Sequence, residues 1–170
     1  DTSDRIYNSL GQLKISLSRI DENGIGLDHT YNTSMTVNSY NNISQIERMT
    51  RTTTDGEKET IEADDAARVY DSQGRLEYSK TKINEMAVTL PLLPPGTRGG
   101  AGLPDYRLNH TYTVETSMRG IAGVTQYYNS IGQALRMSRV TVDGGKTITE
   151  TDMSDRIYNS LGQLKISLSR

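Results

Sequence analysis

Residues 152–170 repeat residues 1–19 with one difference, Met153 for Thr2. The stretch "DRIYNSLGQLKISLSR" stands unchanged at residues 4–19 and 155–170, and Tyr7 and Tyr158 lie 151 residues apart. Repeats are sought before folds, because each is a unit that stacks on its neighbours. A shorter period lies inside the long one. Tyr7-Asn-Ser-Leu-Gly-Gln-Leu returns as Tyr40-Asn-Asn-Ile-Ser-Gln-Ile, Tyr70-Asp-Ser-Gln-Gly-Arg-Leu, Tyr128-Asn-Ser-Ile-Gly-Gln-Ala and again from Tyr158. The spacings are 33, 30, 58 and 30 residues, a unit of about thirty with one insertion.

The units are of two kinds. "LDHTYNTSM" from Leu27 resembles "LNHTYTVETSM" from Leu108, and "KETIEADDAARVYDSQGRL" from Lys58 resembles "KTITETDMSDRIYNSLGQL" from Lys146. The order is A-B-A-B, over about residues 1–26, 27–56, 57–86 and 108–145. Residues 1–151 then form one super-repeat and 152–170 open the next. The long spacing places an insertion at residues 87–107, where all four prolines (Pro91, Pro94, Pro95, Pro104) and Gly96, Gly99, Gly100 and Gly102 fall. The excursion, read from Met86 to Arg107, has no pattern compatible with a strand ladder.

Within a unit the pattern is that of strands. Val140 and Val142 alternate with polar residues, as do Leu164, Ile166 and Leu168. Period two indicates strands with one covered face, so Leu164, Ile166 and Leu168 are expected to face inward. Asp143-Gly144-Gly145 signals a tight hairpin, since glycine takes positive φ without steric penalty. In Asn-Ser-X-Gly, Asn suits the first turn position and Gly supplies the left-handed residue of a bulge. Ser44 replaces that glycine at the Tyr40 copy, which predicts a distorted or wider turn there. Residues 62–69, "EADDAARV", are read as strand or loop rather than a helical turn. The fold class is all-β: tandem antiparallel hairpins in an elongated meander or a β-solenoid-like strip. The structural anchors and turn residues are Tyr7, Gly11, Tyr40, Tyr70, Gly74, Tyr128, Gly132, Gly144, Tyr158 and Gly162.

Composition agrees with thin β layers. All ten aromatic residues are Tyr, with no Phe, Trp or Cys. A compact core usually draws much of its area from Phe and Trp. The net charge is −2 with both signs interspersed, so no basic surface for nucleic acid and no anionic-membrane patch is indicated. No apolar run approaches the ~18 residues of a spanning helix. The chain opens on Asp1 rather than Met and shows no signal peptide, as expected of a mature or excised piece.

"ARVYDSQGRLEYSK" at residues 67–80 resembles a YD repeat, the Tyr-Asp-X-X-Gly-Arg-Leu unit of Rhs proteins, teneurins and bacterial wall-associated proteins. Tyr70, Asp71, Gly74, Arg75 and Leu76 carry the match; the other copies have Asn for Asp and Gln for Arg. This is a divergent form, with units near thirty residues. The resemblance implies extended β-hairpin strips in large secreted or surface-exposed proteins.

Candidate chemistry is sparse. His29 and His110 hold equivalent places in Leu-Asp/Asn-His-Thr-Tyr, one per B unit and without a second His or Cys nearby. Metal sites take three or four ligands, so a structural role at a strand end is the expectation. Asp21-Glu22-Asn23-Gly24, Asp64-Asp65 and Asp143-Gly144 lack the ligand spacing of a calcium loop and read as turn chemistry. Asn32, Asn42 and Asn109 head glycosylation acceptor triplets. No nucleophile elbow, zinc-protease or phosphate-loop motif occurs. No enzyme activity, cofactor or metal is expected. The tyrosines are read as covering the neighbouring hairpin rather than as a sugar-binding ladder.

The expected function is a structural repeat segment of a long extracellular or cell-surface protein that forms a fibre, stalk or sheath. Its partners are neighbouring repeats, giving a homopolymer or filament, with no nucleic acid and no membrane span. The array is expected to run on past Arg170 with "IDENGIGLDHTYNTSM". Two other readings stand beside it: an adhesin stem whose insertion at 87–107 is the binding loop, and an Rhs-like shell around a toxin.

Overall fold

A computed structural model describes residues 2–24, 27–87 and 109–170, and every regular element in them is a β-strand. The strands are β1 (Thr2–Tyr7), β2 (Leu13–Gly24), β3 (Leu27–Tyr40), β4 (Ile46–Asp55), β5 (Lys58–Asp64), β6 (Val69–Tyr70), β7 (Leu76–Ala87), β8 (Asn109–Ser117), β9 (Ser138–Asp143), β10 (Lys146–Thr151), β11 (Ile157–Tyr158) and β12 (Leu164–Ile166). β-branched residues make up half or more of β4, β9 and β10, as suits a pleated, half-covered surface. Ten strands form one open antiparallel sheet in chain order, β1-β2-β3-β4-β5-β7-β8-β9-β10, with β6 pairing to β7. The hairpin β11–β12 follows as a two-stranded sheet. The molecule is therefore an open meander; a solenoid finds no support, because strands neighbour one another in chain order and the sheet does not close.

The strip is one layer thick. Every substantial contact between elements joins strands adjacent in the sheet. Among the described residues only Val37, Tyr128 and Asp152 are buried. The expectation of one covered face fails for this reason: among the described residues no second layer lies against either face. Leu164, Ile166 and Leu168 are 52%, 42% and 57% exposed rather than inward-facing.

Successive turns fall on alternate long edges of the strip. Along one edge lie the Asn-Ser-X-Gly turns; along the other lie the tight turns at Gly56-Glu57 and Gly144-Gly145, closed by the pairs Asp55↔Lys58 and Asp143↔Lys146. Gly56 and Gly144 both take φ 55°, the positive angle that the first central residue of a type II′ turn needs. Most of the proline- and glycine-rich excursion lies outside the described residues. Its first two residues, Met86 and Ala87, belong to β7 and pair with Asn109 and Lys58. A second, smaller irregularity went unread in the sequence. Met35 and Tyr40 are five residues apart, whereas their counterparts Met118 and Tyr128 are ten apart. The extra residues form a loop after β8 in which Gly120 and Gly123 have positive φ and Val124 N–H donates to Ile121 O at 3.1 Å.

Candidate functional site

The five tyrosine-anchored turns share one hydrogen-bond plan. At the first copy, Asn8 Oδ1 accepts the N–H groups of Leu10 and Gln12, both at 2.9 Å. Gly11 N–H returns to Asn8 O at 3.0 Å, and Asn8 N–H reaches Gln12 O at 2.8 Å. Asn8 Nδ2 donates to Gln12 Oε1 at 2.8 Å, so one amide side chain clasps the other across the turn. The same Asn–Gln clasp closes at Asn41–Gln45, Asn129–Gln133 and Asn159–Gln163, at 2.8, 2.7 and 2.9 Å. At the third copy Asp71 replaces Asn and Arg75 replaces Gln, and the clasp becomes an ion pair with Arg75 Nε donating to Asp71 Oδ2 at 2.6 Å. Burial opposes ionisation of Asp71, but the Arg75 backbone N–H and guanidinium and the Gln73 N–H outweigh it and hold the carboxyl below its ordinary value. The turn thus accepts Asn with Gln, or Asp with Arg, as matched pairs.

Gly11, Gly74, Gly132 and Gly162 take φ between 75° and 80°. Ser44 takes φ 66° in the same place, and Asn41 still accepts from Ile43 and Gln45 at 3.1 and 2.9 Å. The wider turn expected there does not form. The clasp holds the backbone path, and serine accepts the left-handed strain.

The turns stack into a ladder. The hydroxyl of Tyr40 donates to Leu13 O at 2.5 Å, that of Tyr70 to Ile46 O at 2.6 Å and that of Tyr158 to Ala134 O at 2.6 Å. The Tyr128 hydroxyl donates likewise to Leu76 O. Each of these four tyrosines therefore ties its own turn to the residue that closes the turn before it. The clasping side chains add a second tie: Gln45 Nε2 donates to Gly74 O at 3.2 Å and Gln133 Nε2 to Gly162 O at 3.0 Å. Gln12 Nε2 donates to Ser44 Oγ at 2.9 Å. Arg75 instead lays its guanidinium over the Tyr128 ring, 4.5 Å from the centroid. Gly74 takes φ 80°, which favours glycine; a Cβ there would meet only the movable end of the Gln45 side chain, 2.9 Å away.

A second recurring device lies before two of the tyrosines. Asp64 Oδ2 accepts Met49 N–H at 2.8 Å and Arg68 Nε–H at 2.9 Å, while Arg68 N–H donates to Glu47 O at 2.8 Å. Asp152 Oδ2 accepts Met137 N–H at 2.9 Å and Arg156 Nε–H at 2.8 Å, and Arg156 N–H donates to Leu135 O at 2.8 Å. Each hook bends the chain between β5 and β6, or between β10 and β11, and pins it to the preceding hairpin. Asp152 Oδ1 also accepts Ser167 Oγ–H at 3.3 Å, whereas the buried Asp64 Oδ1 has no partner. The spacing Asp-X-X-X-Arg-Val/Ile-Tyr was the available signal for the hook.

On the opposite edge the two histidines clasp the tight turns. His29 Nε2 lies 3.0 Å from Asp55 Oδ1, and His110 Nε2 lies 2.8 Å from Asp143 Oδ1. His110 Nδ1 also lies 3.6 Å from Glu85, whose other oxygen accepts Lys58 Nζ at 2.7 Å. The bond to Asp143 raises the His110 pKa above its ordinary value against the opposing effect of burial, and Glu85 adds a smaller upward push. The acidic clusters read as turn chemistry also meet protein partners, as at Asp21, which accepts from Thr30 Oγ1 at 2.7 Å and from Arg19 Nε at 3.0 Å. Among the described residues no three His, Cys, Asp or Glu side chains are grouped as a metal ion requires. Compared with protein-family models, curated proteins and solved structures, the chain finds no match.

Proposed function

We propose that this chain is a structural segment of an extended repeat protein, a β-strip that forms a fibre, stalk or sheath outside the cell or at its surface. The observation that carries the reading is the stacking of five equivalent turns, the last four each tied by a tyrosine hydroxyl to the turn before it. Such contacts are translational, linking each unit only to its neighbours, so length can grow without limit by adding units. The hydroxyls are spent on backbone carbonyls, which favours a structural over a sugar-binding role for the ladder. The YD-like Asp71–Arg75 turn is, on this reading, one version of a clasp that the other units make with amides.

Chains carrying one, two and three 151-residue periods test the reading by small-angle scattering at high dilution. Eight strand lines make up a period, so each added period lengthens the particle by at most about 38 Å at strand spacings near 4.8 Å. A maximum dimension that rises by a similar increment with each added period is the expected result. Growth with roughly the 0.38 power of chain length, as for compact domains, overturns it.

A further inference from the structure

The four most exposed large apolar side chains among the described residues are Leu161, Leu10, Ile131 and Ile43, at 80%, 79%, 74% and 66%. Each stands third in its four-residue turn, at the tip of its rung, and Gln73 holds that place in the third rung. Ile43 and Ile131 have rungs on both sides and stay open, so added units extend the row without covering a tip. Single apolar side chains on a surface are ordinary; one turn position filled this way in four rungs of five is a patterned edge. The edge is also nearly free of charge. Across the tips, residues 8–11, 41–44, 71–74, 129–132 and 159–162, the one ionisable side chain is Asp71, which Arg75 holds at 2.6 Å. The opposite edge sets Asp21, Glu22, Asp55, Glu57 and Asp143 against Lys58 and Lys146, so two such edges would repel. Along the strip the tips run Leu-Ile-Gln-Ile-Leu, the same in both directions.

We propose that this neutral, aliphatic edge pairs with the same edge of a second copy running in the opposite direction. The proposal rests on the stacked-strip reading above. A two-fold axis at the third rung sets Gln73 of one copy against Gln73 of the other, Ile43 against Ile131 and Leu10 against Leu161. The contact is isologous and closes at two strips. The facing Gln amides bond each other. A slip of one rung sets each against an aliphatic tip instead, so Gln73 fixes the register, as a lone polar residue does in an apolar seam. Direction follows from the loop after β8, which enlarges the fourth rung and not the second. Copies running the same way bring both loops to one level. Copies running oppositely set each loop beside the other's shorter second rung. Four aliphatic tips cover only a few hundred Å² per copy, below the ~800 Å² of a standard interface. One period therefore pairs weakly, and each further period adds four rungs to the row.

Disulfide trapping of the full 170-residue chain tests the pairing, because the chain has no cysteine and one introduced thiol reports one contact. Gln73→Cys forms covalent dimers at least about tenfold faster than Glu57→Cys, an exposed thiol on the opposite edge. Ile43→Cys alone links at that slow rate; mixed with Ile131→Cys it links about as fast as Gln73→Cys. Ile43→Ser removes one apolar contact on each side of the axis and slows trapping of Gln73→Cys about tenfold. Circular dichroism establishes that each variant is folded. Gln73→Cys that links no faster than Glu57→Cys overturns the proposal, as does Ile43→Cys that links to itself faster than to Ile131→Cys. The length of single strips at high dilution does not depend on the pairing, so the two readings fail separately.

Discussion

Residues 4–7 and 155–158 have the same sequence and different backbones. At the amino-terminal copy, β1 runs straight beside β2, with Thr2↔Arg19, Asp4↔Leu17 and Ile6↔Ile15 in unbroken register. At the carboxy-terminal copy only Ile157↔Ile166 and Tyr158↔Leu164 keep that register. Asp152 then pairs with Ser169, two residues out of step, because residues 153–156 are taken up by the hook. Residues 64–70, whose sequence differs, hook in the same way, with Asp64↔Thr81 and Val69↔Tyr78. Identical segments differ, while two segments that share only the Asp-X-X-X-Arg-Val/Ile-Tyr residues agree. What separates them is the preceding hairpin, which presents a free N–H and C=O at Met137 and Leu135, or at Met49 and Glu47, and which β1 lacks among the described residues. The hook is a response to a neighbour.

The strongest way to break this comparison is Asp152→Ala. It leaves the Met137 N–H and the Arg156 guanidinium without their acceptor at a site where Asp152 is 4% exposed. We expect a loss of about 2–3 kcal/mol in urea unfolding, with residues 153–156 straightening towards the β1 register. Arg5→Ala, which removes the straight copy's counterpart of the hook residue Arg156, should change stability by less than about 0.5 kcal/mol. A hook that survives Asp152→Ala in amide chemical shifts would show that the local sequence bends the chain after all.

The clasps sharpen the same lesson at shorter range. Asp71→Asn leaves Arg75 facing an amide and should cost about 1–2 kcal/mol, since a charged bond is lost. Adding Arg75→Gln rebuilds the Asn–Gln clasp of the other copies and should recover most of it. The remaining deficit of about 0.5–1 kcal/mol belongs to the lost stacking of Arg75 on Tyr128. A thermodynamic cycle with no coupling between the two positions would refute the matched-pair account. Ser44→Gly removes left-handed strain but also the Gln12–Ser44 bond, so a gain of only about 0.5–1 kcal/mol is expected in thermal melts.

The smallest effect is that of pH on the histidine edge. His110 has a raised pKa in the fold, so its contribution is complete below the ordinary histidine value of 6.5 and is lost as pH rises through the raised value. Stability measured upward from pH 6.5 should fall slightly, and His110→Gln should flatten that slope. An unchanged slope in His110→Gln would remove the histidine clasp from the pH response.

Much of this molecule was legible before folding because its bonds are short in sequence. The Asn-to-Gln clasp, the return from Gly to Asn and the tight Asp-Gly turns all close within four residues, so composition in a small window specifies them. That is why the anchors, the hairpins and the all-β meander could be read, and why Ser44 misled: glycine was taken as the cause of a turn that the side-chain clasp holds. The tyrosine ladder, the histidine edge and the hook's ties to the preceding hairpin join residues that are fifteen or more apart, although the hook's Asp–Arg bond spans only four. Their partners are mostly main-chain N–H and C=O groups, which every residue carries and no sequence pattern marks. The exposure of Leu164, Ile166 and Leu168 was likewise hidden, because alternation shows which residues share a face and not whether anything covers it. The sequence by itself determined the unit and its turns. The tertiary structure decided how units touch and which of two backbones one sequence adopts, because those choices depend on hydrogen-bonding groups that only a neighbouring strand supplies.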